Sequence, residues 1–180
     1  MSGRGVHGRQ REVGPGEGRR LSRGLLPDLL GYHLRRAQTA VFKHFGEEVG
    51  AEEDITPGLF GMLQVIAANS GLAQSRLAEA MNVDRSTIVT AIDQLESRGL
   101  VARVPSRRDG RSYALQLTEA GRRALRRTED LVLRHEAALA SVLTVEERET
   151  LIRLLVRLYE RGGADPARER GAARNRRSGR

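Results

Sequence analysis

Apolar residues recur three and four positions apart through most of the chain, the spacing of helices with one buried face. "DLLGYHLRRAQTAVFKHF" carries Leu30, Leu34, Ala37 and Val41 in that register, with Pro27 and Asp28 forming a first turn. Thr56 and Pro57 read as an N-cap and a first-turn proline, opening a helix through about Ala68. "AQSRLAEAM" predicts a short helix ending near Asn82. "DRSTIVTAIDQLESRG" predicts the next, with Asp84 as N-cap and Gly99 as the C-terminal stop. The period then changes, and strands are expected near 101–105 and 112–117. Thr118 caps a long helix to about Ser141, and Thr144 with Glu147 forms a capping box for a last helix, 145–160. No internal repeat is visible.

A brief helix, a turn, a longer helix and then a hairpin describe a winged helix-turn-helix. With Ile88 at zero on a helical wheel of about 100° per residue, Ala91, Ile92 and Leu95 share one face. Ser86, Thr90, Asp93 and Ser97 face the other way, with Thr87 and Val89 on the flanks. Small hydroxylated residues suit a helix that enters a major groove, where bulk would hold it off. Arg85 sits in the first turn, where helix N–H groups could meet a phosphate. The fold class expected is mainly α with a small β-hairpin wing: a winged lobe at about 56–118 plus a helical region at about 27–46, 119–141 and 145–160.

Composition narrows the function. The net charge of +8 is unevenly spread. Residues 1–24 hold six Arg and two Glu, and residues 161–180 hold seven Arg and two acids. Both arms are poor in apolar residues and are expected to be disordered, outside a domain spanning 25–160. That domain is nearly neutral, with 18 basic and 19 acidic residues, yet 85–127 holds ten Arg against four acids. A basic sector on a neutral body points to a polyanion. The hairpin "RVPSRRDGRSYALQL" concentrates Arg107, Arg108 and Arg111 at its tip, where nothing local neutralises them and DNA phosphates would. Asp109 either orients the Arg111 guanidinium or is a turn residue before Gly110. No apolar run approaches the length of a membrane span, no secretory signal is recognisable, and the chain has no Cys. A cytoplasmic address is expected, and thiolate zinc sites and thiol sensing are excluded.

"DGRSYALQLTEAG" resembles the wing-and-helix signature of the MarR family, Asp-x-Arg followed after a short strand by Leu-Thr. "LAEAMNVDRSTIVTAIDQLESRGLVAR" is similar to that family's helix-turn-helix, and the likeness in layout runs from about residue 27 to 160. The resemblance implies a dimeric bacterial transcription regulator whose first and last helices intertwine between chains. It puts Arg111 in the minor groove and Ser86, Thr87 and Thr90 in the major groove. The residues favour a dimer too. In the last helix Leu151, Ile152, Leu154, Leu155, Val156 and Leu158 make an apolar face wider than one packing stripe requires. Two-fold symmetry would set two lobes on a pseudo-palindromic operator in double-stranded DNA.

Many family members are released from DNA by small aromatic ligands. "LGYHLRRAQ" resembles the first helix of members that answer to aromatic acids or their coenzyme A thioesters. Tyr32, His33, Arg35 and Arg36 offer a phenol, an imidazole and two cations for a carboxylate or phosphate. They also fit solvated arginines and a histidine hydrogen-bonded between helices. No cofactor is implied. No HExxH, phosphate loop or nucleophile elbow appears, and His7, His33, His44 and His135 are scattered, so an enzyme is not expected. His44 beside Glu47 and Glu48 reads as a helix surface rather than a metal site. The competing reading is a winged helix used for nucleoid packaging or protein contacts, without a ligand. RNA binding fits less well, because Tyr113 alone supplies an aromatic in the basic sector.

Overall fold

The computed structural model describes residues 21–105 and 113–161. The chain divides into two compact units between Ala37 and Gln38. In the first, a single 3-10 turn at Leu26–Asp28 precedes helix α1, Leu30–Phe45. Pro27 therefore starts a turn of its own, ended by extended Leu29, rather than the first turn of the long helix. Leu26, Leu29, Leu30 and Leu34 are all solvent-exposed.

In the second unit α1 ends in a wider turn at Gly46–Gly50 and a one-turn helix α2, Ala51–Glu53. Neither was expected from the pattern. Asp54 ends α2 with φ 51°, a left-handed conformation that Asp tolerates better than most residues. Then come α3 (Pro57–Ala68), β1 (Leu72–Ala73), α4 (Gln74–Met81), α5 (Arg85–Ser97), β2 (Val101–Pro105), β3 (Tyr113–Leu117), α6 (Glu119–Ala140) and α7 (Val145–Arg161). The sheet has three strands in the order β1-β3-β2, all antiparallel, where two were expected. Leu72 pairs with Leu115, and Val101 with Leu117. The expected arms at 1–24 and 161–180 lie outside the described residues, except for 21–24 and Arg161, which closes α7.

The helix ends form where their caps demand. Thr56 Oγ1 accepts from Leu59 N at 3.3 Å. Thr144 N donates to Glu147 Oε2 at 2.8 Å and Glu147 N returns a bond to Thr144 Oγ1 at 3.2 Å, a reciprocal capping box. Asn82 leaves α4 at φ 50° and Gly99 leaves α5 at φ 66°, the left-handed exits that stop each helix. The core is aliphatic: Leu59, Leu63 and Ile66 of α3, Leu77 of α4, Ile88, Ile92 and Leu95 of α5, Val101, Leu115 and Leu117 of the sheet, and Leu125 of α6. It fixes α5 by one face and leaves the other free.

One junction ties sheet to helix. Thr118 N donates to Leu100 O at 3.1 Å, its hydroxyl donates to Gly99 O at 2.6 Å, and the same oxygen accepts from Gly121 N at 2.9 Å. This brings α6 so close to Leu100 that a Cβ on Gly121 would lie 1.9 Å from the Leu100 carbonyl oxygen. Gly121→Ala should therefore destabilise by about 1–3 kcal/mol or more, since backbone must move. Gly58→Ala, where a Cβ meets only Thr56 Oγ1 at 3.9 Å, should not. Thermal unfolding of the two variants checks the contrast.

A second small core joins Phe45, Val49 and Leu131. Beside it His135, 2% exposed, sits 2.6 Å from His44, Nδ1 to Nδ1, with the Phe45 ring edge-on to it. His44 thus faces another imidazole. In such a bond one nitrogen donates and the other accepts. Burial first, and the His44 charge second, lower the His135 pKa from its ordinary 6.5, against weaker opposition from Glu136 and Glu48. The unfolded chain then binds more protons in acid than the folded one. Stability should fall as pH drops below about 6.5, until His135 itself protonates. Denaturant titrations at several pH values should show that slope, and His135→Phe should flatten it.

Candidate nucleic-acid interface

Helix α5 presents the face the wheel predicted. Ile88, Ile92 and Leu95 are buried, while Arg85, Ser86, Thr87, Thr90 and Asp93 are exposed. Asp84 caps the helix by accepting from Thr87 N at 2.9 Å. The Ser86 hydroxyl donates to one oxygen of the same carboxylate, and the Thr87 hydroxyl donates to the other at 2.7 Å. These bonds, Ser86 foremost, hold the Asp84 carboxyl well below the usual carboxylate range. Thr90 donates its hydroxyl to Ser86 O at 3.2 Å. Arg85 is exposed and has no ion pair with another described residue.

The basic sector looks different once folded. Arg103, on β2, reaches back to α5, where Nη2 bonds Asp93 at 2.6 Å and Nη1 bonds Glu96. Arg98 leaves α5 and donates to the main-chain oxygens of Asp54 at 2.6 Å and Glu53 at 2.8 Å. Arg127 forks onto the Glu53 carboxylate at 2.6 and 2.9 Å. Arg122 pairs with Glu119 at 3.0 Å. These four arginines are engaged by the protein itself. The sequence pattern missed their partners, which lie up to 74 residues away. Arg107, Arg108, Asp109 and Arg111 lie outside the described residues.

On α1, the residues singled out for a ligand are in view. The His33 ring bonds the Pro27 carbonyl at 2.7 Å, so it ties helix to preceding turn rather than helix to helix. The Arg36 guanidinium lies 5.7 Å over the Tyr32 ring, a cation–π distance, and Tyr32 meets His33 edge-on. In the second unit, a separate apolar cavity of about 370 Å³ is lined by Phe42, Phe45, Ile55 and Pro57, with Gly46, Gly50, Asp54, Thr56 and Gly58. Tyr32, His33, Arg35 and Arg36 are not among its lining residues. No group of three or more metal-ligating side chains occurs among the described residues, and no helix there is long and apolar enough to cross a membrane.

The sequence model of the MarR family matches residues 53–112. A proposed transcriptional regulatory protein for the hcr operon of Thauera aromatica is 48% identical over 150 residues, covering 83% of this chain and 90% of that protein. The chain belongs to the MarR family. It is a transcriptional regulator of MarR type. Among solved structures, the transcriptional repressor CouR bound to a 23-mer DNA duplex is 38% identical, with a TM-score of 0.73, covering 77% of this chain and 98% of that one. CouR bound to p-coumaroyl-CoA matches equally well. The PcaV regulator of Streptomyces coelicolor, in complex with its natural ligand, is 28% identical with a TM-score of 0.71, covering 78% and 98% of the two chains. The winged helix-turn-helix inferred from helix periods and turn residues is therefore the family's own.

In this MarR-family lobe, Arg103 fixes the root of the wing against α5 by two carboxylates seven and ten residues back. Arg103→Ala should lower global stability by less than about 1 kcal/mol, as half-exposed ion pairs do. Its local effect should be larger, with faster amide hydrogen exchange in β2 and β3. Arg103→Lys should recover only part of the protection, because an ammonium lacks the planar fork.

Proposed function

We propose that the protein is a homodimeric, sequence-specific DNA-binding regulator, released from a pseudo-palindromic operator by a small aromatic acid or its coenzyme A thioester. The exposed face of α5 carries this reading: Arg85 without a described ionic partner, followed by Ser86, Thr87 and Thr90, on a helix anchored by its opposite side. In the proposal α5 lies in the major groove, Arg85 meets a phosphate at the groove edge, and the three hydroxylated residues meet base edges. The wing supplies Arg107 and Arg108 to phosphates and Arg111 to the minor groove, with Asp109 orienting Arg111. CouR, 38% identical, is a repressor with a structure on a DNA duplex, which supports the same use here.

Dimerisation is supported by exposed apolar surface. On α7, Leu151, Ile152, Leu154 and Leu158 are each more than 40% exposed, as are Leu26, Leu29 and Leu30 in the first unit. Exposed apolar residues at helical spacing, as on α7, fit an association face. The dimerisation role assigned to 27–46, 119–141 and 145–160 belongs to this proposal.

An effector is supported by the ligands of CouR and PcaV, and by the cavity beneath Phe42 and Phe45, whose size suits a single aromatic ring system. Independently of that cavity, Tyr32, Arg35 and Arg36 of the first unit are proposed as groups for a carboxylate or phosphate, with His33 already engaged by Pro27 O.

Selection from random duplexes should return a two-fold symmetric site, bound by a dimer in sedimentation. Arg111→Ala should cost about 1–3 kcal/mol in affinity for it, whereas Arg108→Ala should weaken all duplexes alike. p-Coumaroyl-CoA or a related aromatic thioester should release the DNA. A monomer at micromolar concentration, coating duplexes without preference, would favour the packaging or protein-contact role instead.

A further inference from the structure

The hydroxyl protons on the first turn of α5 are already spent. Asp84 receives the Ser86 hydroxyl on one carboxylate oxygen and the Thr87 hydroxyl on the other, while the Thr87 N–H secures the cap. An ionised carboxylate has no proton to give. In both O···O contacts the hydroxyl must therefore be the donor. The Ser86 and Thr87 oxygens are left with lone pairs and no free proton. Thr90, a turn later, has given its proton to Ser86 O. The low pKa of Asp84 keeps the carboxylate charged throughout the range in which DNA binding is measured.

In the major groove the donors are the adenine N6 and cytosine N4 amino groups, whereas guanine O6 and N7 and thymine O4 accept. A serine or threonine whose proton is free serves either kind. One whose proton is held by a carboxylate serves only donors, and it faces an acceptor with its own lone pairs and a nearby negative charge. We propose that Asp84 is a positioning residue for base recognition, turning Ser86 and Thr87 into acceptors that select adenine or cytosine amino groups beneath the first turn of α5. Asp84 touches no base in this scheme; it acts through the two hydroxyls. Arg85, a donor on the same turn, is outside the rule and remains free for phosphate. The inference rests on the DNA-binding reading above.

The test begins with a duplex site selected from a random pool by the wild-type protein. Adenines and cytosines of that site are replaced singly by purine and 2-pyrimidinone, which lack the amino groups. At the positions beneath Ser86 and Thr87, the loss of the amino group should weaken binding about ten-fold. 7-Deazaadenine, which loses only the N7 acceptor, should leave affinity unchanged. Asp84→Asn preserves a good N-cap, but its amide donates to one hydroxyl and frees that proton. The variant should keep its fold by circular dichroism, lose most of the amino-group dependence at one position, and select guanine or thymine there. If the wild-type protein selects no site, both the DNA-binding reading and this inference fall. If it selects a site that tolerates amino-group removal, or if Asp84→Asn selects the same bases, the inference alone falls.

Discussion

The hydroxyl of Thr118 stands where three elements meet. It donates to the carbonyl at the end of α5, accepts from the first turn of α6, and belongs to the residue that follows β3. A capping residue normally serves its own helix; this one also binds the exit of another, 19 residues back. The bond is made possible by Gly121, whose missing Cβ lets the α6 backbone close on Leu100. The end of α5, the inner strand of the hairpin and the start of the long helix are thereby held at one point. The Leu-Thr of the wing signature is therefore more than a label: Leu117 enters the core and Thr118 makes the joint.

What could be read along the chain was what the chain settles locally. Four helix starts were marked by caps that act within three residues, at Thr56, Asp84, Thr118 and Thr144, while α4 begins after Ala73 with no side-chain cap bond. The buried face of α5 followed from period alone. β1 could not be read that way, because Leu72 and Ala73 are extended only through pairing with Leu115 and Ala114. The turn at Gly46–Gly50 and α2 carry no capping signature either; α2 is preceded by a helical Gly50 without a side-chain cap bond. His44 and Glu47 are neighbours on a helix surface, but the partner of His44 is His135, 91 residues on.

The same distinction separates charge counted from charge available. Ten arginines between 85 and 127 suggested a broad basic surface. Folding brings Asp93 and Glu96 under Arg103, Glu53 under Arg127 and Glu119 beside Arg122. Asp93, Glu96 and Glu119 are among the sector's own four acids and Glu53 is drawn in from outside it, so pairing decides which arginines are engaged more than it lowers the net excess. Arg85, exposed at the start of α5, has no ion pair with another described residue. A sector's net charge ranks surfaces, but the pairing within it determines what a polyanion meets.

Arg98 holds the turn after α2 by its main-chain oxygens, while the Asp54 carboxylate lies 3.9 Å away and the Asp54 side chain is almost fully exposed. Every amino acid supplies those carbonyls. Truncating Asp54 therefore leaves both clamp acceptors in place, provided the replacement tolerates the left-handed backbone there. An alanine scan of the turn would miss the tether between the segment ahead of α3 and the exit of α5. The coupling is written in the backbone at one end and in a single guanidinium at the other, so only a change at Arg98 makes it visible.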